Sequence, residues 1–344
     1  MVELIGDTLV FSFPDVHPRA RLTVTFQRTL RIPDNGKVYP LPPGLGSFPL
    51  KHVDDFAREV PPDWAAHGGV MLPMYQSEAL WLHFESDWID GNGTEYPFAV
   101  KIAAGKINAV TGRPWSNGLQ TDPQDYAVAP AQPWIDGFAV EKGVIRQFVA
   151  MPLGSGYSAE EQITGAGEHG GLQILVSPMK REEFDRRFPL RTWKRADYVG
   201  MDTSDMVMFS RESPSASMGL APGGRMKQEI FRDPYGIDAW NESARGRCFV
   251  HLVNSLVWEA ITSAKPPTPP MTAAHYAKHN LPWFDYYSDQ PALEGSKILE
   301  RLRSVIELAR AKGDRPLPEN QDVTPSPVLP IRPRAGNQVR DGRF

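Results

Sequence analysis

The chain of 344 residues has a single cysteine, Cys248, and no long apolar run, and each shortage excludes something. One thiol cannot close an intrachain disulfide, and it cannot supply the thiolate set that holds zinc or an iron–sulfur cluster. No segment nears the ~20 apolar residues of a membrane-spanning helix, and Met1 to Asp7 carry acid where a signal peptide carries base. A reducing, cytoplasmic location without membrane contact is therefore expected. Excess base is missing too: 37 Lys and Arg stand against 41 Asp and Glu, a net charge of −4. A dedicated nucleic-acid protein needs a basic face to release counterions from phosphates, so no nucleic-acid partner is expected. No motif calls for a cofactor or a resident metal.

What is abundant is proline. With 33 prolines, roughly twice the ~5% of average usage, and 29 glycines, the chain is punctuated too often for many long helices. Leu22 to Ile32 alternates Leu22, Val24 and Phe26 with Thr23, Thr25 and Gln27, the period-two pattern of a half-buried strand. A hairpin is expected from Ala79–Glu85 through the turn Asp90-Gly91-Asn92-Gly93 to a return strand over 96–110, with a bulge at Gly105 where the apolar parity switches. Further strands are expected at 144–153, 161–164, 171–176, 206–209, 227–231 and 248–254. Helices are expected at 256–262 and 273–279, with the best one at 293–312, where Ile298, Leu302, Val305, Ile306 and Ala309 form one stripe before Gly313.

The fold class predicted is mainly β (α+β), an antiparallel sandwich or two packed sheets with C-terminal helices and a proline-rich tail. The divisions are a β-rich body at 1–290, an amphipathic helix at 291–313 and a tail at 314–344. The tail holds six prolines, and its last fourteen residues set Arg332, Arg334, Arg340 and Arg343 against Asp341. That end is at +3, which leaves the rest of the chain at −7.

Among motifs, 165–170 (GAGEHG) matches G-x-G-x-x-G, but the residues after it read as a strand, which removes the helix that a dinucleotide site needs. His-Gly-Gly occurs at 67–69 and 169–171, each before an apolar run, and reads as a loop-to-strand entry because no G-x-S-x-G nucleophile elbow exists. His275 and His279 share a helix face and read as a surface pair; His251 reads as a hydrogen-bonded strand histidine. The cationic residues inside strands are more pointed. Lys101, Lys106 with Asn108, and Arg146 lie among apolar neighbours, where a charge is costly unless paired. With Trp134, Asp136 and Gln147 they are candidate ligand-binding residues for an anionic or sugar-like molecule against an aromatic wall. Asp136 neutralising Arg146 is the bland reading of the same residues. The cluster Trp283-Phe284-Asp285-Tyr286-Tyr287 is either a carbohydrate platform or a plug for the core.

The stretches at 26–36 (FQRTLRIPDNG), 72–82 (LPMYQSEALWL), 146–157 (RQFVAMPLGSGY) and 218–228 (MGLAPGGRMKQ) resemble a family of hypothetical proteins without an assigned function. The resemblance covers most of 20–290, leaves out the tail, and implies no activity, cofactor or site residue. With no catalytic set to assign, the leading expectation is a non-catalytic protein that self-assembles or binds a protein partner through 314–344. The alternative is an enzyme or small-molecule binder using the cationic strand residues.

Overall fold

The computed structural model describes residues 1–190, 216–314 and 321–331. Leu22, Val24 and Phe26 are fully buried while Thr23, Thr25 and Gln27 are half-buried, so the expected alternation builds the strand Arg21–Thr29. It pairs antiparallel with Thr8–Ser12 on one side and with Ala79–Ser86 on the other. Ala79–Ser86 continues to Val144–Pro152 through Phe148↔Leu80 and Val149↔Ala79, and Val144–Pro152 pairs in turn with Ser217–Lys227. A second array sets Phe98–Ala104, Leu172–Pro178 and Gly246–Asn254 antiparallel, with Val70–Met74 added parallel to the last. The two arrays join where Ser217 and Met218 pair with Val253 and Leu252.

One hydrophobic cluster draws from both arrays: Leu22, Phe26 and Leu82 from the first meet Phe98, Ile102, Ile174 and Leu252 from the second. Each such side chain contributes about 1.5–3 kcal/mol on burial, so this shared core is what holds the arrays together. The fold is mainly β with a few helices, in agreement with the sequence pattern. Among the described residues no helix is long and apolar enough to cross a membrane.

The departures have local causes. The turn at Asp90–Gly93 exists, but it closes only the small pair Trp88–Ile89 with Thr94–Glu95, and the arms of the expected hairpin then diverge into different arrays. Gly105 is not a bulge: Gly105 and Lys106 both have positive φ, +56° and +58°, and form the two-residue turn joining Phe98–Ala104 to Ile107–Asn108. That reversal accounts for the parity switch. Residues 161–164 are the end of the helix Ala159–Thr164, started by a capping box in which Ser158 and Glu161 exchange hydrogen bonds. The strand expected at 227–231 lies earlier, at Ser217–Lys227, with Gly219, Pro222, Gly223 and Gly224 inside it. The expected helix at 293–312 is split into Lys297–Glu300 and Val305–Lys312, because Ser296 and Ser304 each cap a fresh start. Ile298 is exposed, and Leu299 takes its place in the core. The strand expected at 206–209 lies outside the described residues.

Of the tail, residues 321–331 fold back on the body. Val328–Ile331 pairs parallel with Trp283–Tyr286, and Val323 is buried in a second cluster with Tyr39, Leu41, Tyr276 and Trp283. The basic end lies outside the described residues.

Candidate functional site

Trp134 and Ile135 pair with His83 and Leu82 at the edge of Ala79–Ser86, and the chain then turns through Asp136 into Gly137–Glu141. Gly137 is required there, since a Cβ would lie 2.0 Å from the Arg146 carbonyl oxygen. This close approach delivers Trp134 and Asp136 to the flank of a cleft of about 410 Å³, a volume usual for small-molecule sites. Its aromatic wall is Trp134, Tyr286 and Tyr287; its polar groups come from Gln132, Lys227, Gln228, Glu229 and Ser288. Trp134 and Tyr286 meet nearly at right angles, 70°, with ring centroids 4.7 Å apart, and Trp81 also meets Trp134 edge-on, at 72° and 6.3 Å.

The amides in this cleft are pinned. Gln228 Oε1 accepts from the Asp136 backbone N–H at 3.1 Å, and Gln228 Nε2 donates to Asp136 Oδ1 at 3.1 Å. Gln132 Nε2 donates to the Trp134 and Glu229 carbonyls, and its Oε1 accepts from the Phe231 N–H. Asp136 is buried without a cation beside it, so desolvation raises its carboxyl to about 7, against the Gln228 hydrogen bond that lowers it. Lys227 is held by Asp285 at 3.1 Å. Tyr286 and Tyr287 are positioned by the folded-back tail, where the Tyr287 N–H donates to the Ile331 carbonyl at 2.9 Å.

The other residues predicted from sequence go elsewhere. Lys101 is wholly buried, 2.6 Å from Asp125, and its ammonium also donates to the Ser116 and Gly118 carbonyls and the Ser116 hydroxyl. Asn108 donates to the Asp125 carbonyl and accepts from the Val110 and Thr111 N–H groups. These two share Asp125, and their polar atoms are spent on holding the loop at 108–125. Lys106 sits in the turn after Phe98–Ala104, not in a strand. Arg146 faces Asp34 at 3.8 Å and Glu307 at 3.9 Å, so Asp136 is not its counter-ion. Gln147 is fully buried and bridges the backbone of Leu30 and Ile32. Of the seven candidates, Trp134 lines the cleft and Asp136 adjoins it; the cationic set does not converge. Gln132 and Gln228 escaped sequence reasoning, as amides carry no spacing signal. In the aromatic cluster the two readings divide: Trp283 is fully buried core, while Tyr286 and Tyr287 face the cleft.

The two His-Gly-Gly motifs meet on either side of the strand Gly246–Asn254. A Cβ on Gly69 would lie 2.2 Å from the Phe249 carbonyl oxygen, and one on Gly171 would lie 2.4 Å from that of Val250, so glycine lets both chains enter the ladder. His67, Phe249, His251 and Trp64 form a ring column with successive centroids 4.7, 4.9 and 4.6 Å apart. His251 Nε2 lies 3.0 Å from the Gly68 carbonyl oxygen, and burial lowers its pKa to about 4. The 165–170 loop does cradle an anion, but one from its own chain: Glu160 accepts from the N–H groups of Glu168, His169 and Gly170 at 2.8–3.0 Å. The His275 and His279 rings stack at 4.9 Å, and among the described residues no three metal-ligating side chains converge. Comparison of the chain with protein-family models, with curated proteins and with solved structures finds no match.

Proposed function

We propose that the protein binds a small, polar, uncharged molecule in the cleft between Trp134, Gln228 and Tyr286. The observation that carries this reading is the convergence of a right-angled aromatic corner with pre-oriented amides in one cavity of small-molecule size. The expected cationic pocket lends no support to an anionic ligand, because Lys101 and Arg146 are engaged with Asp125, Asp34 and Glu307. Screening a chemically mixed library by thermal shift against the wild type and Trp134→Ala tests it. Compounds that stabilise only the wild type are expected; if every stabilising compound acts equally on the variant, the cleft is not the site.

Association through the tail is a second reading, favoured by the exposed apolar side chains Val328, Leu329 and Ile331. Light scattering of a chain shortened to 1–314 decides it: an unchanged mass removes self-assembly through this segment.

A further inference from the structure

We infer that the ligand class of this cleft is carbohydrate, a sugar ring that stacks one face on Trp134 and presents its hydroxyls to the amides and carboxylate opposite. The inference rests on the binding reading above and narrows it by charge, by shape and by hydrogen-bonding character.

Charge comes first. Lys227, the cation among the lining residues, is neutralised by Asp285 at 3.1 Å, whereas Glu229 makes no ion pair among the described residues. A phosphate or carboxylate ligand would meet acid without an opposing base. Nothing lining the cleft belongs to a helix N-terminus, so the backbone seat on which nucleotide phosphates rely is missing from this wall.

Shape separates the remaining neutral ligands. A flat heteroaromatic ring wants two parallel walls, but Trp134 and Tyr286 stand at 70°. A perpendicular corner leaves one ring face for the C–H side of a sugar and brings the second ring in from the flank. Hydrogen-bonding character then fits hydroxyls, each of which both donates and accepts. Gln228 and Gln132 spend their amide hydrogens on Asp136, Trp134 and Glu229 and each keep one acceptor position on Oε1, Glu229 accepts, and Lys227 and Ser288 donate. Because each amide is held by backbone partners, its orientation exists before the ligand arrives, and less ordering is left to oppose binding.

The test is calorimetry and saturation-transfer NMR with glucose, galactose, maltose, cellobiose and chitobiose, alongside AMP and choline as probes of the nucleotide and ammonium classes. At least one sugar is expected to bind, with affinity falling about tenfold or more in Trp134→Ala and in Tyr287→Ala, whose exposed side chain can be removed without disturbing the core. Circular dichroism of both variants establishes that they fold. If AMP or choline binds and is lost in Trp134→Ala while no sugar binds, the carbohydrate assignment is overturned and the cleft reading survives. Sugar binding that both folded variants leave unchanged overturns the assignment to this cleft, and binding of none of the seven probes overturns the carbohydrate class outright.

Discussion

Replacing Asp136 with Asn removes a buried carboxyl that titrates near neutrality, and the consequence is a change in how stability depends on pH. Desolvation raises Asp136 to about 7 from an ordinary value of 3.8. A carboxyl whose folded-state pKa is raised contributes stability that is full below about 4 and is lost as pH rises through about 7. At ~1.36 kcal/mol per unit, three units correspond to about 4 kcal/mol across that window. His251 works the other way: burial lowers it from 6.5 to about 4, so its contribution is present above 6.5 and is lost as pH falls through about 4, about 3 kcal/mol in all. In the wild type the two contributions nearly cancel between about 4 and 7. Asp136→Asn unmasks the histidine, so relative to the wild type the variant loses about 4 kcal/mol as pH falls from about 7 to about 4. Urea denaturation of both proteins at a series of pH values gives the difference directly, and every other titrating group drops out of it. A difference curve that is flat over this window, or that slopes the other way, refutes the assignment of a neutral buried carboxyl to Asp136.

Two further outcomes follow from named contacts. Lys101→Met leaves Asp125 buried without its cation and strips donors from the Ser116 and Gly118 carbonyls, a loss of about 3–5 kcal/mol measurable by chemical denaturation; a loss below ~1 kcal/mol would mean the pair is not holding the 108–125 loop. Deleting residues 315–344 removes Val323 from the cluster around Trp283 and the strand beside Tyr286, so the melting temperature should fall and tryptophan emission should shift to the red as Trp283 is uncovered; unchanged emission would show that the tail does not cover this face.

How legible the fold was depended on whether the signal was local. Alternation in Leu22–Phe26 reports burial by neighbours two residues away, and the strand formed as read. The hairpin failed because a turn signal specifies only the reversal, here a pair of two-residue strands. Which partners the arms take was settled by Arg21–Thr29 and Leu172–Pro178, far off in the chain. Ser217–Lys227 was hidden for a related reason. Its glycines answer to tertiary contact: a Cβ on Gly223 would lie 2.5 Å from Val149 and one on Gly224 would lie 2.7 Å from the Pro33 carbonyl oxygen. The Ser158-Glu161 capping box, by contrast, is a local signature that the run 161–164 concealed by resembling a strand.

The candidate site was legible in its pieces and not in its assembly. A buried cation in a strand does announce an unusual environment, but the sign of that environment depends on what the fold brings opposite. Asp125 answers Lys101, Asp34 answers Arg146, and both charges become structural. Trp134 carried weaker evidence, yet it alone of the seven lines the cleft, because Gln228 and Tyr286 arrive there from 94 and 152 residues away.

The basic end of the tail lies outside the described residues, and the charged contact that the described segment makes is Asp322 of the tail on Lys37 of the body at 2.6 Å. Both side chains are 61% exposed, and solvent-screened pairs of that kind add little. What secures 321–331 is Val323 in the second cluster and the register Trp283↔Val328 to Tyr286↔Ile331. The same register holds Tyr286 against Trp134. A segment read from composition as an arm for partners thus, over its described length, pairs with the strand that carries Tyr286 to the chain's own cleft. The two proposed readings are therefore coupled: whatever displaces Val328–Ile331 also releases Tyr286, so a partner that took this strand would weaken a ligand bound in the cleft.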